Sequence, residues 1–280
     1  MRLIFAIAVS LAITGATFAD TINVPGDHPT IQEAVDASNN GDEIIVAPGR
    51  YTSIQDGHVV DMMGKAITLR SSDGPEVTII DGENARRGIA CFSGETESTL
   101  IEGFTITNGN STWYDYDNNG KASDWWENDG GGIICYNNSS PSILNCLIRN
   151  STSNDDGGGL ACHLNSNPLV SNCVITGNTA ASYDSTGGGI ACNSSRPTLT
   201  HCLISENTAL RNGGGASFVG ALGSDAIITH CTISGNYALG DTFGGGGIYC
   251  YKSSPTITDC DITENTASLN GGGFFCNDES

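Results

Sequence analysis

Residues 187–207 read GGGIACNSSRPTLTHCLISEN, a run from three glycines through Ile190, Cys192, Pro197, Cys202 and Ile204 to Asn207. The same landmarks return along the chain. Gly triplets followed by an apolar residue begin at Gly130, Gly157, Gly187, Gly213, Gly245 and Gly271, in steps of 27, 30, 26, 32 and 26 residues. A Cys-x-Ile unit travels with them, at Cys146, Cys173, Cys202, Cys231 and Cys260, and the last four isoleucines, Ile175, Ile204, Ile233 and Ile262, are each 29 residues apart. Three residues after each of those four comes an Asn (Asn178, Asn207, Asn236, Asn265), and Pro141, Pro168, Pro197 and Pro255 stand five residues before their Cys.

A repeat of this length holds about three short strands and cannot bury an apolar face by itself, so successive repeats must stack. The pattern predicts a parallel β-helix in which equivalent residues pile up about 4.8 Å apart. The isoleucines then form an interior ladder. The Asn residues form another at a bend, where their amides satisfy backbone groups that the bend leaves unpaired. The Gly triplets suit a tight bend with positive φ or close stacking of backbones. A leucine-rich repeat would need a periodic Leu pattern, which is missing.

Gly187 to Ile190, taken with Ile175 to Asn178, resembles the Gly-Gly-Ala-Ile and Phe-x-x-Asn repeats of polymorphic outer membrane proteins. The opening Val24-Pro-Gly-Asp-His-Pro-Thr-Ile-Gln32 and the later Val46-Ala-Pro-Gly-Arg-Tyr51 are similar to segments of secreted bacterial right-handed β-helix proteins of the pectate-lyase-like fold. The resemblance spans nearly all of residues 22–276 and implies an all-β, right-handed parallel β-helix. It implies little about activity, because that architecture hosts lyases, hydrolases, epimerases and adhesins.

Before the solenoid the chain reads in two parts. Met1, Arg2, the apolar stretch Leu3 to Ala16 and the small residues up to Ala19 have the form of a signal peptide over residues 1–19, too short for a membrane span. Residues 20–41 read as an N-terminal cap with one helix: Thr30 and Glu33 form a capping box, Ile31, Ala34 and Val35 share a face, and Asn39-Asn40-Gly41 stops it. The β-helix occupies residues 42–280, with strand-like pieces at Glu43 to Val46, Ala66 to Leu69, Val77 to Ile80 and Leu100 to Ile106. Its last coil, from Gly271, lacks the Pro-to-Asn half of a repeat, so a C-terminal continuation or a covering partner is expected. The protein is expected to be secreted or held at the cell surface.

With 31 acidic and 11 basic residues the net charge is −20, and nucleic acid, which needs clustered Lys and Arg, is not expected as a partner. Eleven Cys in an exported chain would ordinarily suggest disulfides. Yet ten of them fall in two repeat series, one of which carries Phe218 in place of Cys, and a site that accepts Phe wants apolar volume. Stacked equivalents would also be too far apart for an S–S bond, so buried free thiols are expected. No metal-ligand spacing of Cys and His is evident. His163, His201 and His230 occupy repeat positions and read as structural.

Function should lie where repeats differ. Connections from the Asn to the next triplet vary most, and after Asn108 the connection holds 21 residues, Gly109 to Asp129. This loop carries Trp113, Trp125 and Trp126 with Tyr114 and Tyr116, a plausible platform for sugar rings or else an anchor for the loop. Asp115, Asp117 and Asn119 match the first half of a calcium loop, but Trp126 stands where its bidentate Glu belongs, so only a looser calcium site with Asp124 remains open. Because the ladder residues lie outside it, deleting residues 113–129 is expected to leave the coils folded.

Asp155 and Asp156 before one triplet and Asp184 in the next loop add carboxylates for ligand binding, and in principle for acid–base work. The Asn-Thr-Asp, Gly-His-Gly and Arg-Ile-Lys signatures of pectin-cleaving hydrolases do not occur. Arg149, Arg196 and Arg211 are candidate lyase bases by proximity alone, and no catalytic residue is assigned. The sequence therefore favours an exported protein that binds polysaccharide or a cell-surface glycan, in the manner of an adhesin. The alternatives are a polysaccharide lyase or glycoside hydrolase, and a structural passenger domain without a small ligand.

Overall fold

The computed structural model describes residues 19–55, 57–111, 125–220, 225–241 and 244–277, and of Trp125 and Trp126 the backbone alone. Apart from the helix Ile31–Ala37 and a single 3₁₀ turn, Trp125–Asn128, the described elements are strands, all paired in parallel between successive coils. They form four sheets of nine, eight, eight and six strands.

One coil shows the rest. After its triplet comes Ile190–Asn193, in the post-glycine sheet; beyond Pro197 comes Thr198–Thr200, in the proline-side sheet; then Leu203–Ser205, in the isoleucine sheet. Three strands were expected, and the structure adds a fourth, Thr208–Ala209, which builds the short sheet. Two residues are too few to stand out as a strand signal, yet Ala180, Ala209 and Ala238 stack in register at their buried position. The expected strand Leu100 to Ile106 is likewise two strands, Leu100–Glu102 and Thr105–Thr107, because Gly103 turns a corner between them with φ of +75°.

The expected ladders are present. Ile148, Ile175, Ile204 and Ile233 pair coil to coil and are fully buried, each worth about 2–3 kcal/mol of transfer free energy. Asn207 Nδ2 donates to the carbonyl of Ile175 at 2.9 Å and to Asn236 Oδ1 at 3.0 Å, while its own Oδ1 accepts from both the backbone and side-chain N–H of Asn178 at 3.0 Å. Burial without such partners would cost about 1–3 kcal/mol per group.

The triplets serve both purposes expected of them. Gly187 has φ of +68°, where a Cβ is strained. Gly188 is kept small by packing: a Cβ there would lie 2.6 Å from the carbonyl oxygen of Gly214 in the next coil. All eleven Cys are free thiols, nine of them buried, and Phe218 fills the Cys position between Cys192 and Cys250 with no exposure.

The helix caps the first coil as predicted. Thr30 accepts from the Glu33 N–H at 3.2 Å, Ile31, Ala34 and Val35 are buried, and the helix ends at Ser38, whose N–H reaches back to the carbonyls of Ala34 and Val35. Among the described residues no helix is long and apolar enough to cross a membrane.

Candidate functional site

In the post-glycine strands, alternate residues point inward to the core and outward. The outer face begins with a small buried cluster, Ala90, Ile134 and Ala161, with Phe92 and Tyr136 against it. Along the register it continues through Ala191, Ser217, Tyr249 and Phe275, and in the parallel row through His163, Asn193, Val219, Tyr251 and Asn277. The rings of Tyr249 and Phe275 stack with centroids 6.2 Å apart.

One side of this face is walled by the residues that stand directly before the triplets: Asp129, Asp156, Thr186 and Asn212. They are tied into a ladder. The Asp156 N–H donates to Asp129 Oδ1 at 2.7 Å, the Thr186 N–H donates to Asp156 Oδ1 at 2.6 Å, and the Thr186 hydroxyl bonds the same oxygen at 3.1 Å. Thr186 in turn bridges to Asn212. Between wall and face runs a groove of about 310 Å³, with Asp156, Thr186, Arg211 and Asn212 on the wall and Asn193, Tyr249 and Tyr251 on the floor. It spans four consecutive strands, or about 14 Å at the coil spacing. Asn212 is 2% exposed and its Oδ1 has no hydrogen-bond partner among the described residues, an acceptor held ready at the wall.

At the head of the groove, carboxylate oxygens of Asp129, Asp155 and Asp156 all lie within 4.8 Å of one another. Asp129 also meets Nε2 of the buried His163 at 3.0 Å. Burial, reinforced by the charges of Asp129 and Asp184, pushes the Asp155 carboxyl up to about 7. Burial, then Asp129 and Asp155, pushes Asp156 well above the carboxylate range. Asp155 and Asp156 therefore hold protons more tightly than ordinary carboxylates. The same oxygens are the ligand type that a hard divalent cation takes, and a bound proton and a bound cation would compete for them.

Beneath the cluster sits Arg87, fully buried, in register with the middle glycine of the next coil's triplet. Its Nε and Nη2 donate to the carbonyls of Glu127, Asp129 and Gly130 at 2.6–3.2 Å. Glu127, Asn128 and Asp129 are therefore part of the coil, and the Ser111 hydroxyl donates to the Asn128 carbonyl. This corrects the expectation that residues 113–129 are dispensable: removing 127–129 would strip acceptors from a buried guanidinium.

Of the residues singled out in the sequence, Asp155 and Asp156 are brought together, with Asp129, which sequence reasoning passed over, and with His163, which it read as structural. Asp184 lies beside them, in a separate depression with Tyr183, Arg211 and Leu239. Trp113, Tyr114, Tyr116, Asp115, Asp117, Asn119 and Asp124 lie outside the described residues, as do the side chains of Trp125 and Trp126. Arg211 reaches the groove, whereas Arg149 is on the isoleucine sheet and Arg196 at the opposite turn. A signal for Asp129 was available, since it occupies the same pre-triplet position as Asp156.

The chain belongs to the right-handed β-helix family: the family model described as "Right handed beta helix region" matches residues 42–207 and 180–280. Among solved structures it is similar to a pectin methylesterase variant in complex with a hexasaccharide, at 12% identity and a TM-score of 0.48 over 94% of this chain and 71% of that one. It is also similar to the pectin methylesterase from carrot, at 14% identity and a TM-score of 0.40 over 92% of this chain and 87% of the other. No curated protein sequence matches it.

Proposed function

We propose that this is an exported β-helix protein that binds polysaccharide along the groove on the outer face of its post-glycine sheet, as a glycan-binding or adhesin-like module. The observation that carries this reading is the lining of the groove. Tyr251, half-buried on the floor beside the buried Tyr249, offers part of its ring to a sugar, and Asn193, Asn212, Thr186 and Arg211 offer donors and acceptors to the hydroxyl edge. An extended groove across several coils suits a chain of sugars better than a single small molecule.

Export is supported by the first described residues. The Asp20 backbone N–H donates at 2.8 Å to the buried Asp42 carboxylate. If cleavage follows Ala19, that nitrogen becomes the ammonium of the mature chain, already facing a carboxylate.

Affinity electrophoresis through gels holding a panel of neutral and acidic polysaccharides tests the reading. The protein should be retarded by at least one of them, and Tyr251→Ala or Arg211→Ala should weaken retention about tenfold with an unchanged circular dichroism spectrum. Absence of retention on every polysaccharide would leave the structural passenger. A second reading, polysaccharide cleavage, is favoured by the Asp155 carboxyl, pushed up to about 7 next to the groove-lining Asp156, in the range a general acid or base needs. Reducing or unsaturated products that disappear with Asp155→Asn would establish it.

A further inference from the structure

On the opposite side of the coil from the short sheet, the proline-side strand turns into the isoleucine strand through a single residue with left-handed backbone. In five successive coils this residue is Asn145, Asn172, His201, His230 and Asp259, with φ of +53° or +54° in each case. The last three place two imidazoles and a carboxylate in one exposed file. The rings of His201 and His230 stack with centroids 4.9 Å apart and planes 4° from parallel, and His230 Nε2 is 3.7 Å from Asp259 Oδ2.

We propose that His201, His230 and Asp259 form a surface binding site for a divalent transition-metal ion of the zinc type. Each imidazole is oriented by the residue before it: Nδ1 of His201 lies 2.8 Å from Thr200 Oγ1, and Nδ1 of His230 lies 2.7 Å from Thr229 Oγ1. When Nδ1–H donates to the threonine oxygen, the proton is fixed on that nitrogen and Nε2 presents its lone pair outward. This is the outer-shell hydrogen bond that metal-binding histidines use. Nε2 of His201 has no partner among the described residues, and that of His230 meets only Asp259.

Two bonds of about 2.0–2.1 Å at a tetrahedral angle bring the ligand nitrogens to about 3.4 Å, so the two parallel rings must close up and turn until their Nε2 lone pairs converge, and Asp259, one coil beyond His230, must swing back toward the same point. Both side chains have room for this, since His230 is 53% and Asp259 72% exposed. The carboxylate supplies the third ligand, and water fills the remaining position or positions. A net charge of −20 favours cation capture over the whole surface. Imidazole with carboxylate selects a borderline ion over calcium or magnesium, which prefer all-oxygen sites. The sequence held the spacing, 29 residues from His201 to His230 and 29 to Asp259, but a separation that long signals metal binding only once the coil is known.

The structure also supplies the control variant. Asn occupies the same left-handed corner in two neighbouring coils, so the double substitution His201→Asn, His230→Asn keeps the fold. Zinc chloride titrated calorimetrically into the reduced full-length protein should bind at this site, at least tenfold more weakly in the double variant and severalfold more weakly in Asp259→Asn. Both variants should keep the wild-type thermal midpoint without metal. In nitrogen-15 spectra of the imidazoles, zinc should shift Nε2 of His201 and His230 and leave Nδ1 protonated. Zinc binding unchanged in the double variant would overturn the proposal. So would loss of binding in Asp156→Asn alone, which would assign the metal to the acid cluster.

Discussion

Nε2 of His163 stands 3.0 Å from Oδ2 of Asp129, and the two side chains are 0% and 1% exposed. The contact ties the turn before one triplet to the outer face of the strand that follows the next. Removing either partner takes a polar contact from the other in a dry site, and an unsatisfied buried polar group costs about 1–3 kcal/mol. His163→Ala is therefore expected to lower the urea midpoint of unfolding substantially, and Asp129→Ala to lower it further, because it also removes the acceptor of the Asp156 N–H. A midpoint within error of wild type for both would show the contact to be energetically idle.

The acid cluster gives stability an unusual slope with pH. Asp155 and Asp156 have folded-state pKa values above their unfolded ones, so between about pH 4 and 7 the folded chain binds more protons than the unfolded chain. Stability from these groups is full below about pH 4 and falls as pH rises through 7. His58, pushed down to about 4 by burial, opposes this slope up to about pH 6.5, so thermal midpoints should decline most clearly from about pH 6.5 to 8, and Asp155→Asn should flatten the decline and raise the midpoint at pH 8. A midpoint that rises over that range in wild type, or a slope untouched by the substitution, would contradict the shifts.

Two glycine substitutions separate packing from backbone strain. At Gly94, φ is +78° and no atom lies within 4 Å of an added Cβ, so Gly94→Ala should cost only about 1–2 kcal/mol of left-handed strain. Gly188 lacks positive φ, but its Cβ would meet the backbone of Thr208 and Gly214. Gly188→Ala should abolish soluble folded protein. Equal yields and midpoints for the two would refute the close-stacking role of the triplets.

How much of this was open to reading without coordinates depended on periodicity. Ile175, Ile204 and Ile233, and Asn178, Asn207 and Asn236, recur at a fixed spacing of 29, and the triplets recur in every coil at a spacing that varies with the loop before them, because each faces the same neighbours in every coil. Thr208–Ala209 was too short to register, and Gly103 hid a corner inside what looked like one strand. The acid cluster was half legible: Asp155 and Asp156 are adjacent, but Asp129 and His163 join them across two coils. A pair that occurs once has no repeat to announce it. Arg87 was hidden for the same reason, since a charged residue aligned with a triplet glycine looks like a departure from the pattern.

Thiol chemistry checks the interior directly. Burial pushes the thiols of Cys162 and Cys250 up, and hydrogen bonding with Cys173 pushes Cys202 up to about 12, so few thiolates form at neutral pH. Alkylation of the native protein should modify Cys276 quickly, Cys260 more slowly and the nine buried thiols hardly at all, whereas the unfolded chain should take up eleven labels. Fewer than eleven on the unfolded, unreduced protein would reveal disulfides.

In the asparagine ladder each amide receives from the coil before it and gives to the coils on both sides, in the same geometry from Asn178 to Asn236. The junction between any two of these coils is therefore chemically interchangeable with the junction between the next two. A gene encoding such a chain can gain or lose a whole repeat by in-frame recombination, and the new seam closes with the bonds already in use. Length is then free to drift across generations by whole coils. The acid cluster and the histidine file lie on particular coils, so a recombination event would inherit, duplicate or discard each of them as a unit.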